Sequence, residues 1–285
     1  MPGDRTLISL EGLGKAGKAL VEKIAGAGWV LYEPHHAKRM AAAQVAADRI
    51  RALGSIETSA LAQRALVRLA HEETRKQRNA EQVTAGAIPL LGADAKPDKV
   101  GEDWLAFLFE RANLVSDVEM QSLWSRILAG EVNAPGTFSR RTLQVVSSLE
   151  KRDAHLITAL CGFVWRMGSE SIPVVNDVRA KIFVENGITF ASLTHLDALG
   201  IVRFDNSVGF RIQGLAQRFE ISYFGARFGI ELPHPSSDFV VGSVLLTSVG
   251  QELARISGAT PVDGYPEHCI GTIWVLHRAT VTRLG

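Results

Sequence analysis

The sequence is short of the residues that usually announce chemistry. Its two cysteines, Cys161 and Cys269, stand far apart in 285 residues, and neither lies in a CxxC or other metal-type spacing. That excludes a disulfide scaffold and a cysteine zinc site, and it reads as two structural thiols in a reducing compartment. Long hydrophobic runs are missing as well. No stretch of about 18 uninterrupted apolar residues occurs, so no transmembrane helix is expected. Near the N-terminus, Glu11, Lys15, Lys18, Glu22 and Lys23 break every candidate signal-peptide core, and the expectation is a cytoplasmic protein. An excess of one charge is absent too, with 31 Lys+Arg against 30 Asp+Glu. Any affinity for nucleic acid or an acidic membrane must therefore be local.

Catalytic signatures are equally scarce. GxxxxGK[ST] and GxSxG do not occur. Gly12-Leu13-Gly14 with Gly17 completes G-x-G-x-x-G, but no strand precedes it and no βαβ unit surrounds it, as a cofactor fingerprint requires. His35 and His36 are adjacent, so on a helix they point apart, and with His71 they gather no closed ligand set. His195 and Asp197, two apart on a short helix, face different ways and read as hydrogen-bonding residues of the fold, as does His155 beside Asp153. Asp103, Asp117 and Glu119 with Arg126, near Trp104 and Trp124, could be drawn as an acid/base site. Carboxylates at helix starts are most often caps, however. No catalytic residue, cofactor or metal ligand is assigned, and a non-enzymatic protein is expected.

What is present is helical patterning. Residues 7–31 place Leu10, Leu13, Gly17, Leu20, Ile24, Ala27 and Leu31 on one face and Glu11, Lys15, Lys18 and Glu22 on the other, an amphipathic helix. Each interior glycine costs about 0.5–1 kcal/mol relative to alanine, so this helix needs a surface to fold on. That surface is protein, its own or a sister subunit's, or else lipid. Leu13, Lys15, Lys18, Leu20, Ile24 and Trp29 are the candidate contact residues. After Pro34, an Ala-rich helix spans His35–Leu53, stopped by Gly54-Ser55. A further helix covers roughly Thr58–Ala85 and becomes almost wholly polar, as in solvent-bridging or subunit-contact helices. Pro89–Pro97 reads as a linker.

Next comes a helix from about Glu102 to Arg111 with Trp104, Leu105, Leu108 and Phe109 on its apolar face. Ser116 with Glu119 forms a capping box for a helix whose buried face is Met120, Leu123, Trp124, Ile127 and Leu128, with Gly130 just past its end. The Pro-Gly loop Glu131–Thr137 has no evident duty. Ser139 caps another helix, and one beginning at Lys151 runs through Leu156, Leu160 and Val164 into Trp165. Beyond Gly168, a helix over Pro173–Asn186, a short helix ending at Leu199, and a hairpin of Ile201–Phe204 with Gly209–Ile212 make the layout of a winged helix. Strand-like segments follow at Phe219–Phe224, Phe228–Leu232 and Phe239–Leu246, then a helix capped by Thr247 and an apolar segment, Cys269–His277, that leans to β with a helix as the alternative. The fold class expected is mainly α in the N-terminal and central parts, with a C-terminal α+β winged-helix-like module. The domains expected are 1–88, a central helical hub over 98–168, and 169–285. The short helix of the winged module carries no Lys or Arg, and only Arg203 and Arg211 on the hairpin are positive. Those two are the candidate partner or nucleic-acid contacts, with protein contact preferred over nucleic acid.

These residues together resemble a bacterial family known as domain of unknown function 2806. The resemblance is carried by Leu31-Tyr32-Glu33-Pro34, Glu72-Glu73 with Gln77 and Asn79, Asp103-Trp104, Ser116-Asp117 through Met120-Gln121-Ser122-Leu123-Trp124, Ile127-Leu128-Ala129-Gly130-Glu131, and Pro135-Gly136-Thr137-Phe138-Ser139. In the C-terminal part His195-Leu196-Asp197 and Leu246-Thr247 with Gly250 also fit. The family implies no activity. The N-terminal third further resembles bacterial abortive-infection proteins, which implies phage defence. The functional expectation is a protein that self-associates through its N-terminal helices and recognises an unknown protein partner with its C-terminal module. A membrane-acting effector, associated with a lipid surface through residues 7–31, and a winged-helix nucleic-acid binder stand as alternatives.

Overall fold

In the computed structural model, which describes residues 8, 10, 12–26, 60–235 and 237–284, the chain divides into two units, Met1–Leu143 and Gln144–Gly285. The Ala-rich segment His35–Leu53 and Trp29 lie outside the described residues.

In the first unit, α1 (Lys15–Gly26) buries Gly17, Leu20, Val21, Ile24 and Ala25; Gly17, Leu20 and Ile24 belong to the apolar face expected from the spacing, and Val21 and Ala25 widen it. That face is turned to its own unit. A Cβ on Gly17 would sit 3.3 Å from the Ile88 side chain, so glycine there permits close helix approach, and Lys23 pairs with Glu102 at 3.4 Å. The helices α2 (Ala60–Ala87), α3 (Glu102–Ala112) and α4 (Val118–Asn133) follow. The C-terminal half of α2, polar in sequence, is not solvated on all sides, because Asn79, Glu81 and Thr84 are buried. They meet a polar seam on α4. The Gln121 amide nitrogen lies within 3.1 Å of Asn79 Oδ1, Gln82 Oε1 and Val115 O, and Ser125 Oγ is 2.9 Å from Val83 O. Pairing of this kind offsets the cost of burying these polar groups.

Two local expectations shift. The α4 N-cap is Asp117, whose carboxylate accepts from the amides of Glu119 and Met120 at 3.0 Å. Ser116 is unavailable for capping because its hydroxyl meets Asn79 at 3.1 Å. Gly130 does not end the helix, which runs on to Asn133. The Asn133 side chain accepts from Gly92 N at 2.8 Å and donates to Leu90 O at 3.0 Å. The loop after it also has a duty. Buried Glu131 accepts from Gly136 N at 2.7 Å and Phe138 N at 2.9 Å, and Phe138 O in turn accepts from Trp104 Nε1 at 2.7 Å.

The next helix, α5 (Arg140–Val146), crosses the boundary between the units, with Ser139 Oγ accepting from Thr142 N. In the second unit α6 (Lys151–Cys161) leads into β1 (Val164–Met167), β2 (Glu170–Pro173), α7 (Lys181–Val184), α8 (Phe190–Ala198), β3 (Val202–Phe204), β4 (Phe210–Ile212), β5 (Arg218–Tyr223), β6 (Ala226–Glu231), β7 (Phe239–Gly242) and β8 (Val244–Leu246). Then come α9 (Ser248–Ala254), α10 (Tyr265–Cys269, continued by a π-turn to Trp274) and β9 (Thr280–Leu284). A five-stranded antiparallel sheet runs β2-β1-β5-β6-β9, and two two-stranded sheets pair β3 with β8 and β4 with β7. Its core is aromatic: Trp165 meets Trp274, Tyr223 and Phe228 at ring separations of 4.9, 5.1 and 5.1 Å.

The expected fold class is therefore corrected. The protein is an α/β mixture, about 50% helix and 16% strand among the described residues, with several antiparallel sheets in its C-terminal part, and not a mainly α protein ending in a winged helix. The anticipated hairpin does not form. Val202–Phe204 pairs with Val244–Leu246 and Phe210–Ile212 with Phe239–Gly242, because a three-residue strand has too few cross-strand pairs to hold its nearest neighbour against a better-buried distant one. Of Pro173–Asn186 only Lys181–Val184 is helical, since Val174 and Val175 stay extended to reach Gly242. Conversely Cys269–His277 begins as helix, because Tyr265, Cys269 and Ile273 are buried at four-residue spacing.

Gly242 carries the tightest of these junctions. Its φ is +97° and a Cβ there would fall 2.1 Å from Val175 O. Gly214 has a similar φ of +72° with open space around it. Gly214→Ala is expected to cost about 1–2 kcal/mol, the left-handed penalty alone, and Gly242→Ala at least about 3 kcal/mol more by displacing backbone. Urea denaturation of both variants checks this, and equal losses would contradict the close contact.

Candidate functional site

Strands β1, β2 and β5 bring three side chains into one row. Arg166 is the register partner of Ser171 on one side and of Ser222 on the other, and directly opposed residues on antiparallel strands project from the same face. The row Ser171–Arg166–Ser222 floors a pocket of about 320 Å³ whose other walls are Cys161, Val164, the end of α9 at Ala254-Arg255, the loop Ser257-Gly258-Ala259, and the β5–β6 turn Phe224-Gly225. The α9 wall is fastened to the floor. Gln251 on α9 accepts from Ser171 N at 2.9 Å and donates to Ser171 O at 2.8 Å, so Arg255, at the C-cap of the same helix, is held across from Arg166.

The charge in this pocket is one-sided: both charged lining residues are arginines. The C-terminal end of α9 brings the negative pole of a helix, roughly half an elementary charge, which two guanidinium groups outweigh. The cysteine in the wall is not a nucleophile. Burial pushes the Cys161 thiol up to about 11, against a smaller opposing pull from its hydrogen bond with Ser257, so at neutral pH it is a thiol and not the reactive thiolate. Serine hydroxyls and guanidinium donors can bind an anion; the lining residues include no general base to activate a nucleophile.

A second polar cluster lies elsewhere in the unit. Asp153, 3% exposed, accepts from Glu150 N at 2.9 Å and lies 2.7 Å from His195 Nε2. It closes the capping box of α6 and ties that helix to α8. With both carboxylate oxygens engaged in the fold, the pair reads as structural.

The residues singled out in the sequence do not meet in a site. Lys15 and Lys18 are exposed on α1, Leu13 is half-buried, and Leu20 and Ile24 are fully buried in their own unit. Trp29 is outside the described residues. Arg203 and Arg211 are exposed on strands of two different sheets, and Arg211 pairs with Asp238 at 3.8 Å. Arg166, Ser171, Ser222 and Arg255, which line the pocket, stand in no sequence motif. One signal was available, a charged Arg166 inside the apolar run from Phe163 to Met167, which a wholly buried stripe does not explain. No helix among the described residues is long and apolar enough to cross a membrane, and no group of three or more His, Cys, Asp or Glu among them could hold a metal.

A family model described as "Protein of unknown function (DUF2806)" matches residues 63–269. No curated protein and no solved structure matches the chain.

The Asp153 cluster predicts a pH dependence. Burial alone would raise its carboxyl, but hydrogen bonds from Glu150 N and His195, with the charges of His195 and Arg152, outweigh it and hold the group below its ordinary value. A depressed folded pKa means that the unfolded chain binds the proton more tightly. The stabilisation is then complete above the ordinary carboxylate range, near about pH 4, and is lost as pH falls through the folded value. The difference in urea midpoint between the wild type and Asp153→Asn should be full at about pH 7 and shrink below about pH 4. A difference independent of pH would refute the pairing.

Proposed function

The chain belongs to the DUF2806 family of proteins of unknown function, and from its own geometry we propose that it is a recognition protein without catalytic chemistry. Its C-terminal unit binds a small anionic ligand, and its N-terminal helices bring copies of the chain together. The observation that carries the first half is the convergence of Arg166 and Arg255 with Ser171, Ser222 and Ser257 on one pocket without an acidic lining residue. At about 320 Å³ the space suits a ligand at the small end of the usual range. A planar guanidinium is the side chain best matched to a phosphate or carboxylate, because it can donate two parallel hydrogen bonds.

Self-association is supported by α2, not by α1, whose apolar face is already buried. Leu61, Val67 and Leu69 are 68%, 58% and 52% exposed, three large apolar side chains within the first turns of one helix. Phage defence is the setting that accords with the resemblance of the first third of the chain to abortive-infection proteins, and it belongs to the same proposal.

Two measurements test these statements. Inorganic phosphate is expected to raise the melting temperature of the full chain above that in sodium chloride of matched ionic strength, as binding to the folded state must. Arg166→Gln and Arg255→Gln should each abolish the increment; equal melting temperatures in phosphate and chloride would dismiss the anion pocket. In light scattering the wild type should exceed the mass of one chain, and Leu61→Glu with Leu69→Glu should return it to that mass. A monomeric wild type would end the self-association reading.

A further inference from the structure

The turn that forms the lip of the pocket is built against local preference. Strands β5 and β6 pair up to Tyr223 and Ala226, leaving the two-residue turn Phe224-Gly225, with φ of +43° and +89°. A two-residue turn with positive φ at both positions matches strand twist and takes Asn-Gly or Asp-Gly by preference. A bulky aromatic at the first position is an outlier. Among the described residues only Phe224 and Arg278 combine a side chain with positive φ, and Phe224 is the one that lines the pocket. Nor is its ring there for the core. It is 47% exposed, resting edge-on against Tyr223 at 4.9 Å. Tyr223 is itself fixed, donating to Gly162 O at 2.7 Å and accepting from Val262 N at 2.6 Å. The result is a rigidly supported, half-exposed aromatic ring at the mouth of a pocket whose floor is cationic.

We propose that Phe224 is a stacking platform and that the ligand of this pocket is a nucleoside monophosphate, with its phosphate on Arg166 and Arg255 and its base on the Phe224 ring. The inference rests on the anion-pocket reading and adds the base to it. Backbone strain retained at a ligand-facing position is accounted for if the strained residue supplies something that the favoured one cannot. Asparagine would suit the turn, but it offers no face on which a base can stack. Every nucleobase has a π-face, so a single aromatic platform recognises the class without choosing among its members. The hydroxyls of Ser222 and Ser257, which line the same pocket, supply donors and acceptors suited to a sugar.

Calorimetric titration of the full chain with AMP, GMP, CMP and UMP, run beside ribose 5-phosphate and inorganic phosphate, separates the two layers of the argument. At least one nucleoside monophosphate should bind roughly tenfold tighter than ribose 5-phosphate, the size of one base–aromatic stack. Phe224→Asn, which relieves the turn and should melt no lower than the wild type, should bring that nucleotide down to the affinity of ribose 5-phosphate and leave ribose 5-phosphate unchanged. Arg166→Gln should weaken both. If all four nucleotides bind no better than ribose 5-phosphate, or if Phe224→Asn leaves the ratio intact, the stacking platform is overturned and the anion pocket stands. If neither ribose 5-phosphate nor inorganic phosphate binds, the anion pocket fails and takes the platform with it.

Discussion

The carbonyl of Val175 accepts from Ser243 N at 2.7 Å, at a point where a Cβ on Gly242 would come within 2.1 Å of the same oxygen. This backbone contact joins the continuation of β2 to the junction of β7 and β8, and the pocket is built outward from it. Strand β8 pairs with β3 and ends at Leu246; the next residue, Thr247, has its hydroxyl 2.7 Å from Gly200 O and accepts from Gly250 N to start α9. Gly250 then lets that helix lie on the backbone, since a Cβ there would fall 2.2 Å from Ile201 O. The next residue, Gln251, grips both backbone groups of Ser171 on β2, and one turn further on Arg255 lines the same pocket as Arg166. The wall and the floor of the pocket are thus fastened to each other through Gln251 and Ser171.

Two kinds of polar group bear on where a ligand could bind. Glu131, Gln121, Asn79 and Asp153 are buried, and each is saturated by backbone or side-chain partners within its own unit. A buried polar group left unpaired costs about 1–3 kcal/mol, so these networks specify packing and leave little for a ligand. Arg166 and Arg255 are exposed, and they face a cavity. This distinction separates scaffold from site in a chain rich in both. It also places the polar residues of α3, α4 and the loop after α4 with the scaffold: Asp117 caps, Trp104 and Glu131 clamp the loop at Phe138, and Gln121 and Ser125 bind α2.

Local signals in the sequence were legible. Apolar spacing located the helices Ala60–Ala87, Glu102–Ala112 and Val118–Asn133 to within a few residues, and Thr247 and Ser139 marked true helix starts. Errors appeared wherever a residue's partner lay far along the chain. Ser116 looked like a cap until Asn79, 37 residues earlier, claimed its hydroxyl. Val202–Phe204 and Phe210–Ile212 looked like two arms of one hairpin, yet each pairs with a strand about 30 to 40 residues later. The candidate site was the least legible part, because Arg166, Ser222 and Arg255 are contributed by three separate elements and none of them stands in a motif.

By itself the sequence determined the near-neutral charge, which is composition alone, and the helical periodicity and the caps at Thr247 and Ser139, which depend on residues within a turn or two of one another. Tertiary structure alone decided which strands pair, that the apolar face of α1 is spent within its own unit, and that a row of serine, arginine and serine faces a second arginine beside an exposed phenylalanine. Strand pairing and pocket lining are set by long-range burial, and burial has no period that a single stretch of sequence can display. The same holds for Phe224. Its turn is recognisable from the two strands it joins, but only the cavity it overhangs distinguishes a misfit turn residue from a ligand-facing ring.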